Sequence, residues 1–454
     1  MTRLIISSFP AWAARVTLPL ILLVSFVGCT PHLELYPEVE GLARQGKYTQ
    51  AAELVEKNQE EYGERNEVLF NMDRGILYHY ARNYSKSNAA FEAAERRIDA
   101  LFTESVSGNV AAFATNDTTL PYKGEDFESV VINIYRALNY TQLGDVDSAL
   151  VEARKVNHKL DLINRQYDED KKNVYAEDGF ARLLMGALYE MGGTRDDVND
   201  AYISNQLAVG TYKKAFAKNY GVSAPTILKS NLLTTASFMG REELGKAKKD
   251  FPGQPLLSLD DKRGKAQIYF VHFAGKSPEK VEDAIRAAMP DGNLLKIAFP
   301  RYNPRYYLID SSRILIDGQH AVTLEPAEPI GSIAIENLSN RKARIAVKAI
   351  ARATTKYIAN KAVQNKARQE SQAAGLLAWA AGTAFAEFSE QADLRSWKLL
   401  PDRMLIAGTL VDPGKHAITA EFLNRSRATV SSQALGDFEL KAGETRFVLL
   451  HSTN

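Results

Sequence analysis

Apolar residues in the first half of the chain recur at helical spacing, in pairs of segments separated by short polar turns. The clearest pair carries its small and aromatic residues at Gly75, Tyr78, Tyr84, Ser87, Phe91 and Ala94. Two further pairs repeat part of this arrangement, at Leu42, Gly46, Tyr48, Ala51 and Val55 and at Ala137, Tyr140, Gly144, Val146, Ala149 and Ala153. Small residues let two antiparallel helices approach closely, and aromatic residues fill the gaps between pairs. Because each pair buries its apolar face only against its neighbours, the pattern predicts a stack of helix pairs.

The arrangement resembles the tetratricopeptide repeat, in which Gly46 and Gly144 would provide the left-handed turn between the helices of a pair. The spacing is irregular: 36 residues separate Tyr48 from Tyr84, and 62 separate Tyr84 from Val146. The sequence therefore predicts degenerate repeats and not a regular array.

The connections between the predicted pairs differ in length. Residues 107–128 are expected to form a long loop, which is either a functional element or a surface insertion. Residues 180–191 and 200–218 predict another pair with a charged connection between them, and residues 226–249 predict one more. A stretch rich in proline and glycine at 251–255 marks the end of this helical region.

The second half of the chain changes its period twice. Segments rich in β-branched and aromatic residues predict strands at 267–273, 294–299, 314–316, 404–410, 416–422, 438–440 and 446–450. Between the third and fourth of these, the spacing becomes helical over 330–368, and an alanine-rich helix follows over about 373–392. Strands on both sides of a helical insertion can close one antiparallel sheet or a small sandwich.

The sequence thus predicts a mainly α protein, in which tetratricopeptide-like helical-hairpin repeats precede an α+β domain. That domain is expected to be an antiparallel β sandwich or sheet with an inserted helical hairpin. The expected boundaries are a signal peptide at 1–28, the repeat domain at 29–252, a linker at 253–265 and the α+β domain at 266–454, with its insertion at 330–395.

The N-terminus has the pattern of a secretory signal, because Arg3 and Arg15 precede an apolar run and small residues lead up to Cys29. The run is shorter than the ~20 apolar residues that span a bilayer. Residues 26–29 resemble a bacterial lipobox, which implies cleavage before Cys29 and attachment of palmitate-type acyl chains. Thr30 is not the aspartate that retains lipoproteins in the inner membrane, so the resemblance implies an outer-membrane address facing the periplasm. The alternative is an ordinary signal peptide with a chance cysteine.

Composition narrows the classes of function. The net charge is +1 and becomes −1 without Arg3 and Arg15, so no overall positive field attracts nucleic acid. Cys29 is the only cysteine, which excludes an internal disulfide, and 454 residues are enough to bury a core without one. The seven histidines are scattered, and the sequence has no phosphate-binding glycine loop, paired-histidine zinc motif or nucleophile elbow. We therefore expect no enzyme activity, no metal and no cofactor.

The helix predicted over 330–368 carries an unusual concentration of positive charge, with nine basic residues and no acidic one from Arg341 to Arg368. Four of the nine are spaced four residues apart and form one stripe: Arg344, Lys348, Arg352 and Lys356. Like charges at this spacing destabilise a helix by roughly 0.2–0.5 kcal/mol per pair. Two explanations are open. The stripe pairs with the acid-rich stretch 34–67 of the same chain, or it binds an external anion, either lipid head groups or an acidic partner.

The alanine-rich segment that follows, residues 373–388, is too short to span a bilayer. Its small residues Ala381 and Gly382 suit close packing on the preceding helix. We therefore expect a packed helix, with an interfacial membrane helix as the alternative.

Several short stretches resemble one family, the bacterial tetratricopeptide-like envelope lipoproteins without an assigned function. They are YKGEDFE at 122–128, ALNY at 137–140, Gly144 with Asp145, IAFP at 297–300, residues 349–357 and ADLRSW at 392–397. The resemblance runs almost from Cys29 to the end of the chain. It implies an envelope lipoprotein encoded near other small lipoproteins, some of them similar to curli-secretion or peptidoglycan-synthase-activator proteins, and it implies no reaction.

We therefore expect a membrane-anchored periplasmic scaffold or adaptor that binds envelope proteins through preformed helix faces. Arg74, Met72 and His79 are the candidate docking residues. The main alternative is a component or regulator of an envelope assembly, a secretion pore or a peptidoglycan-synthesis complex, in which the C-terminal domain forms homo-oligomers. A cell-wall hydrolase is the third alternative, but the sequence shows no paired acids that would serve it.

Overall fold

The computed structural model describes residues 34–106, 117–165 and 175–453. The signal peptide and Cys29 lie outside these residues, as does the first part of the expected loop at 107–128. The longer helices are α1 (Tyr36–Arg44), α2 (Tyr48–Lys57), α4 (Glu67–Tyr80), α5 (Tyr84–Val106), α6 (Asp126–Leu143), α7 (Val146–Arg165), α8 (Gly179–Gly192), α9 (Arg195–Thr211), α11 (Thr226–Met239), α12 (Arg241–Asp250), α14 (Ile330–Glu370) and α15 (Gln372–Ser389). Short helices are α3 (Gln59–Tyr62), α10 (Ala217–Tyr220) and α13 (Leu259–Gly264).

The strands all lie in the second half of the chain. They are β1 (Ala266–Ala274), β2 (Glu279–Ala288), β3 (Leu294–Asn303), β4 (Ser311–Ile316), β5 (Gln319–Thr323), β6 (Glu325–Glu328), β7 (Arg403–Val411), β8 (Gly414–Leu423), β9 (Thr429–Leu440) and β10 (Thr445–Ser452). A helical region is thus followed by an α+β region with an inserted helix pair, and this order of elements agrees with the prediction from the sequence.

Helices of the first half follow one another in pairs: α1 with α2, α4 with α5, α6 with α7, α8 with α9 and α11 with α12. Gly75 is where α4 and α5 approach most closely, since a Cβ built there would lie 2.4 Å from the Phe91 ring. The Ser87 hydroxyl donates to the Gly75 carbonyl at 2.7 Å. Of the other packing residues, Tyr78, Ala94 and Ala149 are buried and Tyr84 and Tyr140 are half-buried. Gly144 ends α6 in the left-handed conformation at φ 74°.

Two predicted connections are shorter than expected because capping boxes begin helices inside them. α9 starts at Arg195 and not at residue 200, since Thr194 and Asp197 each accept a backbone hydrogen bond from the other. Ser258 and Asp261 do the same for α13 inside the predicted linker 253–265. Asp197 and Asp261, which in the sequence look like part of an exposed charged stretch, therefore serve as helix caps.

The expected loop 107–128 is shorter at its C-terminal end than predicted. Glu125 and Glu128 form a capping box that begins α6, so residues 126–128 are helical. Before them, Thr118 and Tyr122 are buried. The described part of this connection thus has packed positions, with exposed residues beside them at Pro121 and Lys123.

The strands form two four-stranded sheets and a separate hairpin. The first sheet has the order β10-β1-β7-β6, the second has β5-β4-β8-β9, and β2 pairs only with β3. β1 runs antiparallel to β7 but parallel to β10, with Tyr269 opposite Phe447, so the expectation of an antiparallel sheet is wrong at this edge.

The core has two parts that share the first sheet. Alternate residues of β1 point to opposite faces. Tyr269, Val271 and Phe273 pack with the helical region, whereas Ile268 and Phe270 pack with the second sheet. The molecule is therefore a layer of helix pairs on one face of a two-sheet sandwich.

In the pairs that begin with α4, α6, α8 and α11, the first helix lies against the first sheet, whereas in the first pair Tyr48 of α2 contacts His451 of β10. α6 contacts β10, α8 contacts β6 and α11 contacts β7. In α4 the His79 ring lies 4.9 Å from Phe273, and in α6 Tyr135 stacks on Phe273 at 5.1 Å. In α11 the Asn231 amide donates to the Tyr269 hydroxyl at 2.8 Å. The inner face of the helix pairs is therefore covered by the chain's own sheet.

A buried carboxyl joins the first two pairs. The hydroxyls of Tyr36 and Tyr62 donate to Oδ2 of Asp73 at 2.6 and 2.8 Å. Burial raises the pKa of Asp73 to about 7, although both hydrogen bonds act in the opposite direction.

The contact at Gly75 predicts that Gly75→Ala destabilises the fold by about 1–3 kcal/mol, because the new methyl group overlaps the buried Phe91 ring. Gly210→Ala in α9 is the matched control, since a Cβ there meets nothing within 4 Å. It is expected to be neutral or to stabilise by up to about 1 kcal/mol. Urea unfolding of both variants measures the difference, and equal effects would show that α4 and α5 do not meet at Gly75.

Asp73 predicts a pH dependence of stability. The folded chain keeps a proton on Asp73 up to about pH 7, whereas the unfolded chain releases it near pH 4. Between these values the free energy of unfolding falls as pH rises. Asp73→Asn removes this loss, so its stability relative to the parent is expected to be about 2–3 kcal/mol higher at pH 8 than at pH 5. Asp196→Asn, at an exposed position, is the control and should show the parent's slope. The same slope in Asp73→Asn would contradict the assignment.

Candidate functional site

The inserted helix pair and the β2–β3 hairpin form one projecting unit, which we call the arm (residues 279–303 and 341–389). α14 has 41 residues, about 60 Å at 1.5 Å per residue, and both α14 and α15 contact β3. At the hairpin tip, Asp291 accepts from the Tyr357 hydroxyl at 2.7 Å and pairs with Lys361 at 3.1 Å. Asn293 and Gln364 exchange two hydrogen bonds of 2.8 and 3.3 Å. These bonds tie the hairpin to the outer half of α14.

α15 packs on α14 at the small residues that predicted this contact. The Asn360 amide donates to the Gly382 carbonyl at 3.0 Å. A Cβ built on Gly382 would lie 3.2 Å from Gln364. The Ser371 hydroxyl accepts from the Ala374 N–H at 3.0 Å and begins the helix.

Two members of the predicted basic stripe are paired inside the molecule. Arg352 donates from Nη2 and Nε to Oε1 of Glu390 at 2.8 and 3.0 Å, and the two side chains are only 3% and 1% exposed. Lys356 lies 2.9 Å from Oε2 of the same carboxylate. Glu390, and not the acid-rich stretch 34–67, is therefore the internal partner of these two residues. The sequence missed it because Glu390 follows the alanine-rich helix with no charge pattern around it.

The other two members lie nearer the base of the arm, where Arg344 is exposed and Lys348 is half-buried. The stripe thus divides into a structural half, bound to Glu390, and a half closer to solvent.

Large apolar side chains lie exposed along the same helices. The most exposed are Val347 (67%), Ile358 (61%), Val363 (62%), Leu376 (64%) and Leu377 (66%). Residues 341–389 contain nine basic and two acidic residues, a net charge of +7. An apolar surface with this charge is the composition that partner-binding and membrane-binding helices share.

The base of the arm is anchored to the helical region through Glu125. Both Arg341 of α14 and Lys280 of β2 form ion pairs with its carboxylate. The Lys280 ammonium also donates to the Arg395 carbonyl at 2.9 Å. The arm therefore begins at a buried ionic junction.

The extended residues 390–400, which we call the seam segment, connect the arm to β7 and run between helices and sandwich. Trp397 is buried, with its ring 5.7 Å from Phe91 and 6.0 Å from Tyr135. Its backbone N–H donates to Oε1 of Glu128 at 2.7 Å. The Tyr122 hydroxyl donates to the other oxygen of Glu128 at 2.5 Å. Burial raises the pKa of Glu128 to about 7, although both bonds act to lower it.

Arg395 fixes the seam segment to the connection before α6. It pairs with Asp393 at 2.7 Å, donates to the Leu120 carbonyl at 2.9 Å and lies 5.2 Å above the Tyr122 ring. The stretches 122–128 and 392–397, which the sequence set apart by resemblance, therefore meet in space. Their contacts are structural and do not line an open site.

Two of the three docking residues expected on α4 are buried. Met72 and His79 are buried, so this expectation is wrong for both. The His79 Nδ1 lies 2.6 Å from Asn139 Oδ1, and burial lowers its pKa to about 4. Arg74 pairs with Glu56 at 2.8 Å. The helical spacing of these residues showed that one face of α4 makes contacts. It could not show whether those contacts are with a partner or with the rest of the chain.

Within the described ranges, no group of three or more histidine, cysteine, aspartate or glutamate residues is placed to hold a metal ion. None of the helices described combines the length and apolar character needed to cross a bilayer. In comparisons with known proteins, no family model matches the chain and no curated protein sequence matches it.

The ion pair between Arg352 and Glu390 predicts how mutation of Arg352 changes the stability of the fold. Arg352→Met leaves the Glu390 carboxylate buried with only Lys356 as a cationic partner, so we expect a loss of about 2–4 kcal/mol. Glu390→Gln should cost at least as much, because it takes away the carboxylate with which both Arg352 and Lys356 pair. Lys366→Met, at an exposed position of the same helix, should stay within about 0.5 kcal/mol. Chemical unfolding measures all three, and an unchanged Arg352→Met would show that the pair contributes nothing.

Proposed function

We propose that this protein is a non-catalytic scaffold or adaptor lipoprotein of the bacterial envelope, held at the outer membrane by acyl chains on Cys29 and facing the periplasm. In this proposal the helix pairs are tetratricopeptide-like repeats and the arm is the element that binds a protein partner. The observation that carries it is the arm itself, with large apolar side chains more than 60% exposed on helices of net charge +7.

The binding surface is assigned to the arm because the usual alternative is occupied. Repeat proteins bind partners on the inner face of their stacked helices. Here that face packs on β1, β7 and β10, with Tyr135 stacked on Phe273. The repeats therefore act as a rigid support in this proposal.

Charge favours an acidic partner over a second copy of the chain. Two arms of net charge +7 would repel each other where their apolar faces meet, whereas an acidic surface would attract them. The exposed apolar residues would then supply the buried centre of the contact and the lysines its rim. If the chain forms oligomers instead, the copies must meet through a surface other than the arm, or an anion must neutralise the arms where they meet.

The proposed anchor places the body close to the membrane. Six residues lie between Cys29 and Tyr36, the first residue of α1, so the chain between them reaches at most about 25 Å. Lipid head groups therefore compete with an acidic protein as ligands of the arm.

A photo-crosslinking amino acid at Ile358 or Leu377 in the full chain, in cells, tests the proposal. We expect one discrete adduct with a different protein, and we expect Arg344→Glu with Lys348→Glu to reduce it strongly. Ile203 on α9 is the matched control position, since it is also large, apolar and exposed, and it should give no such adduct. Cys29→Ser should move the chain out of the membrane fraction and weaken the adduct.

The remaining outcomes each decide against one part. An adduct with a second copy of the chain would favour the oligomeric alternative. Crosslinks to lipid alone would make the arm a membrane-binding element. Full retention of Cys29→Ser in membranes, at the parent's mature mass, would remove the lipid anchor.

A further inference from the structure

A basic cleft opens where the helical region, the seam segment and the sandwich meet, beside the residues that flank the β2–β3 hairpin. It encloses a cavity of ≈ 30 Å³, room for roughly two water molecules or one small polar group. Its charged walls come from α1 (Glu40 and Arg44), the turn after β1 (Lys276), the loop after β3 (Arg305) and the seam segment (Lys398).

Positive charge exceeds negative charge in this cleft by three, with four cations against Glu40 alone. Arg305 uses the carboxylate, at 2.8 Å. Its guanidinium also donates to the carbonyls of Ser277, at 2.7 Å, and Lys398. Arg305 is thereby fixed in place. Within the described residues, neither Lys276 nor Arg44 has a carboxylate at ion-pair distance.

The unpaired cations are held close enough to act on one another. Burial in the cleft lowers the pKa of Lys276, and the positive charges of Arg305 and Arg44 lower it further against the opposing effect of Glu40. Convergent like charges destabilise the empty site, and a bound anion would reverse the sign of that interaction. The Lys398 ammonium lies 5.1 Å from the centroid of the Tyr36 ring, so an aromatic ring and not a carboxylate positions it.

His451 forms an uncharged part of the wall. The ring of His451 stacks on Tyr80 with 3.5 Å between centroids, and its Nδ1 lies 2.6 Å from the Tyr48 hydroxyl. Burial raises the pKa of Tyr48 to about 12 and lowers that of His451 well below its usual range. Both groups are therefore neutral and share one hydrogen bond. The Nε2 atom of His451 is buried and has no hydrogen-bond partner among the described residues.

We propose that this cleft is a binding site for a compact oxyanion, a phosphate-type group, contacted by Lys276, Arg44 and Lys398, with Arg305 as a fixed positive neighbour. The ≈ 30 Å³ cavity has room for one or two oxygens of the charged group, while the remainder of the ligand stays outside. Such a ligand is either a free phosphate ester or an anionic lipid head group, and both present the same oxygens. Because the walls come from both halves of the fold, a bound anion would also stabilise the helical region against the sandwich.

Calorimetric titration of the full chain in detergent with inorganic phosphate, at ionic strength matched with potassium chloride, tests the site. We expect saturable binding and a phosphate-dependent rise in the unfolding temperature. Lys276→Met should weaken binding about tenfold, equivalent to about 1.4 kcal/mol. Without phosphate its unfolding temperature should be equal to or above the parent's, since a desolvated ammonium is removed. Arg44→Gln, at an exposed position, is the second variant, and Lys218→Met, which is exposed and does not line the cleft, is the control.

Competition identifies the source of the oxyanion. Short-chain phosphatidylglycerol below its micelle concentration displaces phosphate if a lipid head group fits, and failure to displace it assigns the site to free phosphate esters. Sulfate should compete with phosphate in either case. The proposal is overturned if phosphate shows no saturable binding at matched ionic strength, or if Lys276→Met and Arg44→Gln both bind as tightly as the Lys218→Met control.

Discussion

Burial of Trp397 between the helical region and the sandwich is the interaction on which the rest of the structure depends. Its ring fills the space beside Phe91 and Tyr135, and its N–H bonds to a carboxyl, Glu128, that is itself buried. A buried carboxyl is costly unless its oxygens are satisfied. The backbone of the seam segment is thus held in one position, because the buried Glu128 carboxyl of α6 needs the hydrogen bond from the Trp397 N–H.

The seam segment transmits this constraint to everything around it. At one end Glu390 neutralises Arg352 and Lys356 and fixes the two long helices of the arm. At the other end Lys398 reaches the basic cleft. The buried charges of α14 and one wall of the basic cleft are therefore positioned by the same eleven residues, 390–400. The inner face of the helix pairs is packed on the first sheet.

Much of the local structure was predictable because it depends on neighbours in sequence. Helix pairs, the αL turn at Gly144 and the strand at β1 follow from period, small residues and β-branched runs. β9 was largely missed because it is an edge strand whose residues are mostly exposed, so no alternation marks it. The starts of α9 and α13, which lie inside predicted connections, were missed because their acidic capping residues resemble an exposed run of charges.

By itself the sequence determined which segments are helical, where the period changes to strands and that one helix carries an excess of positive charge. Only the tertiary structure decided that two residues of the stripe pair with Glu390, that the inner face of the helix pairs is covered by β1, and that Arg44, Lys276 and Lys398 line one cleft. Secondary structure follows from interactions within a few residues. Charge pairing and exposure follow from contacts between segments hundreds of residues apart, which no local pattern records.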